Sequence, residues 1–212
     1  MPSSTFFRLP EEKRQRLTDA AWAEFTRTGF SDASINKIIC RARIPRGSFY
    51  QYFSDKEDLF RYLLEGTREH YIEVINAMLE ENHGDLFALP LAAFDRFARP
   101  RENTEQRLDR FVRLIGLNRG MDMQQLFLNQ QEILPDSVWE HIDRARLRRQ
   151  DRTFAEQVFA LLLACTGAAV IDAITRPEHR ARQRDILCDR VEVLAYGSLK
   201  PELLPQQGGN RA

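Results

Sequence analysis

Apolar residues recur along this chain at helical spacing almost throughout, and no useful length alternates apolar and polar side chains with period two. The pattern predicts an all-α protein. Leu17, Ala20, Ala21 and Phe25 form one stripe, on a helix that Pro10-Glu11-Glu12 opens and Gly29 stops. Ser34 is placed to cap a second, short helix with Ile35, Ile38, Ile39 and Ala42 on one face. Pro45 suits the start of a third short helix ending near Phe53. Ser54 and Glu57 have the spacing of a capping box, which opens a long helix carrying Leu59, Phe60, Leu63 and Leu64. Asn82-His83-Gly84 ends it. Six more helices are expected at about 85–98, 102–117, 121–133, 135–149, 152–175 and 180–199, punctuated by Pro100, Gly120, Pro135 and Pro177. The tail over 201–212 is polar and expected to be disordered, and no internal repeat is visible.

Composition narrows the class. With 212 residues, 43% apolar and 29% charged, the chain reads as a soluble globular protein of one or two domains. Its longest apolar run, from Val158 to Ile174, carries Gly167 and Asp172, so no membrane span is expected. Residues 1–9 lack the pattern of a secretory signal. Cys40, Cys165 and Cys188 are scattered and odd in number, which fits a reducing cytoplasm and small, mostly buried apolar roles. The net charge is zero, yet its distribution is uneven. Five basic residues against one acidic lie between Ser34 and Lys56, whereas the remainder after Lys56 has 21 basic and 25 acidic. A local basic patch on an acidic body is the asymmetry of a DNA-reading head on a non-DNA body.

That patch coincides with SINKIICRARIPRGSFYQYF, residues 34–53. Two helices of about eight residues joined by a short connection match a helix-turn-helix, in which the first helix braces the second in the major groove. Arg46, Gly47, Ser48, Tyr50, Gln51 and Tyr52 crowd onto the second helix. Arginine and glutamine reach guanine and adenine edges bidentately, while hydroxyls suit phosphates. Gly47 permits close approach to DNA or to a neighbouring helix. One of Tyr50 and Tyr52 could instead serve the core, but Phe49 and Phe53, four apart, are the expected core pair.

Together, Ala20-Ala21, Phe25, Gly29-Phe30, Ser34-Ile35-x-x-Ile38, Gly47-Ser48-Phe49-Tyr50-x-Tyr52-Phe53 and Lys56-Glu57-x-Leu59 resemble the DNA-binding domain of the TetR/AcrR family. The match spans about residues 11–65 without a gap. The resemblance implies a DNA-binding domain over 8–65 and an all-helical effector-binding and dimerisation domain over 66–200. It also implies an Ω-shaped homodimer formed through the last two helices, acting on double-stranded DNA as a ligand-responsive regulator. Carried over position by position, Ser34 and Lys37 lie at the phosphate-facing end of the second helix. Arg46 and Ser48 face bases or backbone, Tyr50 and Tyr52 face phosphates, and Lys56 faces a phosphate at the next helix start. Two departures stand out. Arg43 occupies the turn where the family usually has glycine, so it either adopts a left-handed conformation at about 1 kcal/mol or the turn differs. In either case it reaches toward DNA or stands in solvent. Pro45 replaces a common capping serine and starts its helix by ring geometry instead.

The body is less informative. Phe94, Phe111, Leu114, Asn118, Phe127 and Trp139 are the residues selected to line a pocket for an apolar or aromatic effector, although core packing demands the same apolar types. Asp172 suits either orienting a ligand or pairing with an arginine across a dimer interface. The small residues between Phe154 and Ile174, with the apolar positions from Ile186 to Leu199, suggest that interface, a monomeric core being the alternative. One short helix reads few base pairs, so a dimer on a palindromic site is expected. An effector would act by favouring a body conformation that changes the spacing of the reading helices. No catalytic constellation, metal site or cofactor loop is found: Glu80-x-x-His83 is half of a di-iron motif without its other half. Repression is favoured over activation because occupancy of a promoter suffices for it. The rival reading is a helical interaction protein that does not bind DNA.

Overall fold

Helical periodicity carries through into the architecture. The computed structural model describes residues 1–98, 106–117 and 133–204, and among these the chain forms ten α-helices and no extended strand. It divides into two compact units, one of residues 1–70 with 106–131, the other of 71–105 with 132–212.

The first unit holds α1 (Ser4–Phe7), α2 (Glu11–Asp32), α3 (Ile35–Ala42), α4 (Arg46–Tyr52), the start of α5 (Lys56–Glu81) and α7 (Gln106–Leu117). Leu17, Ala20, Ala21 and Phe25 are buried as their spacing predicts. Gly29 breaks α2 with φ 78°, and one more turn follows it. Arg43 takes the left-handed alternative, at φ 55° and ψ 47°. The Ile44 N–H then bonds the Ile39 carbonyl at 3.1 Å and the Arg43 N–H bonds Cys40 at 3.2 Å, the double closure of a Schellman motif. Phe25, Ile38, Phe49, Phe53 and Phe60 fill the core, joined by Phe6 from α1 and Leu114 from α7.

Two capping assignments change. Ser54 does not cap α5. Asp55 does, accepting the Asp58 N–H at 2.7 Å, while the buried Asp58 carboxylate accepts from the Ser54 N–H at 3.1 Å and its hydroxyl at 3.2 Å. The same three-residue spacing is used one position later, and Glu57 pairs with Arg61 instead. Ser34 does stand at the start of α3, but its side chain makes no capping bond. Cys40 and Cys188 are exposed, against expectation, because each falls one residue beyond the inward stripe of its helix; Cys165 is half-buried.

The second unit contains α6 (Leu89–Phe97), α8 (Asp136–His141), α9 (Arg152–Thr175) and α10 (Arg180–Ser198). Helix α9 packs against α6 and α10. Its apolar stretch has a mean hydropathy of 2.1 and is long enough to cross a membrane, contrary to the sequence reading. Val158, Phe159, Leu162, Ala169 and Val170 are buried within the unit, and 39% of the stretch is buried in all. Arg184 grips the Asp95 carboxylate at 2.9 and 2.8 Å, tying α10 to α6.

Three expected helices are shorter or lie outside view. The segment expected from 85 begins its helix only at Leu89, because the Asp85 carboxylate accepts from the Phe87 N–H at 2.9 Å and closes a local turn. Helix α8 stops at His141 rather than near 149. Ile142 is extended, and the following backbone bonds distant partners: Asp143 N–H to Gly84 O at 3.0 Å, and Arg148 N–H to Ser198 O at 2.9 Å. Gly84, at φ 76°, ends the α5 turn, and a Cβ there would lie 2.6 Å from backbone atoms of His141 and Asp143. The helix expected over 121–133 lies almost wholly outside the described residues. Within the expected tail, Pro201–Leu203 form a 3-10 turn.

Candidate nucleic-acid interface

Helix α4 is seven residues long, too short to persist on its own. It is held by Phe49 and by Phe53 just beyond its end, both buried in the core. That anchoring decides what faces outward. Arg46, Gly47, Tyr50 and Gln51 are exposed, and Ser48 and Tyr52 are half-buried. Tyr50 stands 48% exposed with its ring edge-on to Phe49 at 5.2 Å. Of the two tyrosines it is Tyr52 that turns inward, with its ring 6.2 Å from Phe6. Pro45 precedes the helix at φ −63°, as ring geometry requires.

From residue 34 to 55 the exposed charge is basic but for Asp55. Lys37, Arg41, Arg43 and Arg46 are all exposed, and among the described residues no carboxylate forms a salt bridge with any of the three arginines. Guanidinium groups with no carboxylate partner are free to neutralise backbone phosphates. Gly47 adds a shape argument. A Cβ built on it meets nothing within 4 Å, and its φ is not in the left-handed region. Nothing inside the chain therefore demands glycine at this exposed position.

Glu24, which the sequence reading passed over, organises the entry to α3. Its buried carboxylate accepts from the Ser34 N–H at 3.2 Å and from Arg27 at 2.7 Å. Burial alone would push this carboxyl up; the Arg27 guanidinium and the Ser34 N–H outweigh it and hold it below the ordinary glutamate value. One signal was legible, since Glu24 falls on the buried stripe four residues after Ala20. Lys56 is partly occupied as well. Its ammonium donates to Ser31 O at 2.9 Å and Ala33 O at 3.2 Å, closing the end of α2, and lies 4.7 Å from the Phe30 ring centre. Ser3 and Phe6 were also missed, because a single buried aromatic in a four-residue helix leaves no periodic trace.

The residues selected for an effector pocket are dispersed. Phe111 and Leu114 pack against the core of the first unit. In the second unit Phe94 is fully buried beside Arg180, and Trp139 lies under Arg144 at 4.6 Å. Asn118 and Phe127 lie outside the described residues. A cleft of about 460 Å³ in the second unit is lined by Met78, Glu81, Asn82, Ala92, Asp95 and Arg96, none of them among the six. Asp172 pairs within its own chain, with Arg176 one turn on and with His179 at 3.3 Å. Helices α9 and α10 turn Leu187, Val191 and Ala195 inward and leave Leu161, Leu163, Val193 and Tyr196 exposed, Val193 by 71%.

Residues 17–63 match the family model described as bacterial regulatory proteins, tetR family. The uncharacterized HTH-type transcriptional regulator YdgC of Bacillus subtilis (strain 168) is 37% identical over 71 residues, 34% of this chain and 36% of that protein. The HTH-type transcriptional repressor SCO4008 of Streptomyces coelicolor is 40% identical over 58 residues, 27% of this chain and 30% of that one. The chain thus spans about a third of the length of the curated relatives it matches. Among solved structures, SmeT, the repressor of the Stenotrophomonas maltophilia multidrug efflux pump SmeDEF, is similar over 93% of this chain and 97% of its own, at 19% identity and a TM-score of 0.60. Its triclosan complex is similar over 95% and 99%, at 18% identity and a TM-score of 0.56.

Proposed function

Because this chain belongs to the TetR family of DNA-binding transcriptional regulators, we propose that it works as a homodimeric, effector-responsive repressor whose two α4 helices read the halves of a palindromic operator. The observation that carries this reading is the anchoring of α4 by Phe49 and Phe53, which presents Arg46, Tyr50 and Gln51 outward beside the unpaired Arg43. Arg46 and Gln51 are the base readers, by the bidentate geometry their side chains allow. Ser34, Lys37, Ser48, Tyr50 and Tyr52 position the protein on phosphates, and Arg43 adds a charge at the turn. Lys56, with two of its three donors committed to α2, keeps one for a phosphate. Gly47 allows the helix backbone to come close to the groove.

Dimerisation through α9 and α10 follows from the apolar side chains left exposed on both, and from the need for two half-sites. The effector is apolar or aromatic and binds in the helical body; SmeT, alike in fold, has been solved with triclosan. It acts by shifting the population of body conformations, and α5, continuous from Lys56 to Glu81, transmits the change. The site of action is the bacterial cytoplasm, where the operator is.

Selection of duplexes from a random pool by the full-length protein, at two salt concentrations, tests this reading. The expected result is a palindromic site bound more weakly at the higher salt. Recovery of no sequence would instead favour a helical interaction protein that does not read DNA.

A further inference from the structure

The last carbonyls of a helix have no partner within it, and in α4 they belong to the turn that carries Gln51 and Tyr52. Two of them find donors in the N-terminal segment, forty-eight or more residues away. The Ser3 N–H donates to Tyr52 O at 2.9 Å, and the Ser3 hydroxyl donates to Gln51 O at 2.5 Å. Phe6, fully buried, fastens the same segment to the core, its ring 4.8 Å from Phe53 and 5.0 Å from Tyr62. Arg14 of α2 donates to Phe7 O at 3.4 Å and holds the segment from its other end.

We propose that residues 3–6 form a clasp on the reading helix, fixing the backbone of Gln51 and Tyr52 and so setting where their side chains meet DNA. Ser3 and Phe6 are positioning residues in this scheme and touch no base themselves. The proposal rests on α4 reading DNA. Its consequence is local. Arg46 stands on the first turn, held by Pro45 and the packing of Phe49, and keeps its place when the clasp opens. Gln51 stands on the last turn and loses its place. Opening the clasp therefore relaxes the base preference read by Gln51 while sparing that read by Arg46.

Ser3→Pro is the informative variant. Ser3 already has φ −70°, which the proline ring imposes, so the change removes both donors without redirecting the chain. Ser3→Ala removes the hydroxyl alone, and Phe6→Leu loosens the anchor while keeping a buried apolar side chain. The probes are the duplex recovered from a random pool by the wild-type protein, single-base variants of it, and a scrambled duplex. Ser3→Pro is expected to bind the recovered duplex about tenfold more weakly, because the last turn of α4, freed of its clasp, must be ordered on binding. Its discrimination should collapse at the bases read by Gln51 and persist at those read by Arg46, with binding to the scrambled duplex nearly unchanged. Phe6→Leu should shift the same bases. Wild-type affinity and discrimination in Ser3→Pro and Phe6→Leu would overturn the clasp, as would a proportional loss on every duplex that tracks a fall in melting temperature. If the wild-type protein recovers no duplex at all, the DNA-reading function falls first and the clasp with it.

Discussion

Gly47 and Glu24 show how differently two residues of one small unit are constrained. Glycine costs a helix roughly 1 kcal/mol relative to alanine, and nothing in the chain crowds a Cβ at position 47. Gly47→Ala should therefore leave the fold as stable or raise its stability by up to about 1 kcal/mol in thermal melts, while weakening operator binding. A gain in stability with unaltered affinity would remove the close-approach role. Glu24 is bound inward, and its carboxyl lies below its unfolded value through Arg27 and the Ser34 N–H, despite burial. A depressed folded pKa means that the unfolded state takes up the proton first. The stabilisation is thus complete above the ordinary glutamate value of 4.5 and is lost as pH falls below it. Melting temperature should fall more steeply below that pH in the wild-type protein than in Glu24→Gln; parallel curves would contradict the linkage. Arg43 was legible because only two backbone outcomes suited a non-glycine turn. Ser34 was half legible: its position marked a helix start, but its hydroxyl takes no capping bond, the Lys37 N–H going to the Ser34 carbonyl at 3.1 Å while a carboxylate ten residues earlier accepts from the Ser34 N–H.

At the scale of elements, periodicity located helices well and ended them poorly. Helices α2, α9 and α10 are long runs bounded by proline or glycine breaks, and their bounds fall near those predicted. The failures differ in cause. Before Leu89 a turn closed by the Asp85 carboxylate replaces the expected helix start, whereas after His141 backbone groups find partners far along the chain, of which local patterns hold no record. Gly84 sits at that junction, where its backbone meets residues 141–143. Gly84→Ala combines a left-handed residue, about 1–2 kcal/mol, with overpacking of about 1–3 kcal/mol. Denaturant titration should show a loss of about 2–5 kcal/mol by those two contributions; a loss below about 1 kcal/mol would mean that the junction yields easily. Helix α1 was invisible for another reason, since four residues with one buried ring are below the length at which a pattern exists.

For the whole molecule, the all-α class could be read from periodicity along most of the chain, and the likeness to the TetR family from about a quarter of it, because the DNA-reading unit needs particular residue types at particular spacings. The effector pocket could not, because apolar side chains serve cores and pockets alike. Of the six residues selected for it, Phe111 and Leu114 lie in one unit and Phe94 and Trp139 in the other. The interface proposed on α9 and α10 has a direct, testable consequence for assembly. Val193→Glu alters a side chain already 71% exposed in one protomer, so the fold should survive unchanged by circular dichroism. Sedimentation should show monomers, and operator affinity should drop by about 10²–10⁴-fold as the second half-site is lost. A dimer that persists would move the interface elsewhere. The central claim, that two copies of α4 read DNA symmetrically, is tested most directly by repeating the duplex selection with Arg46→Ala beside the wild-type protein. The account predicts that base preference relaxes at one position in each half-site, placed symmetrically about the dyad, with the rest of the site retained. An unaltered preference, or a change in one half only, would contradict it.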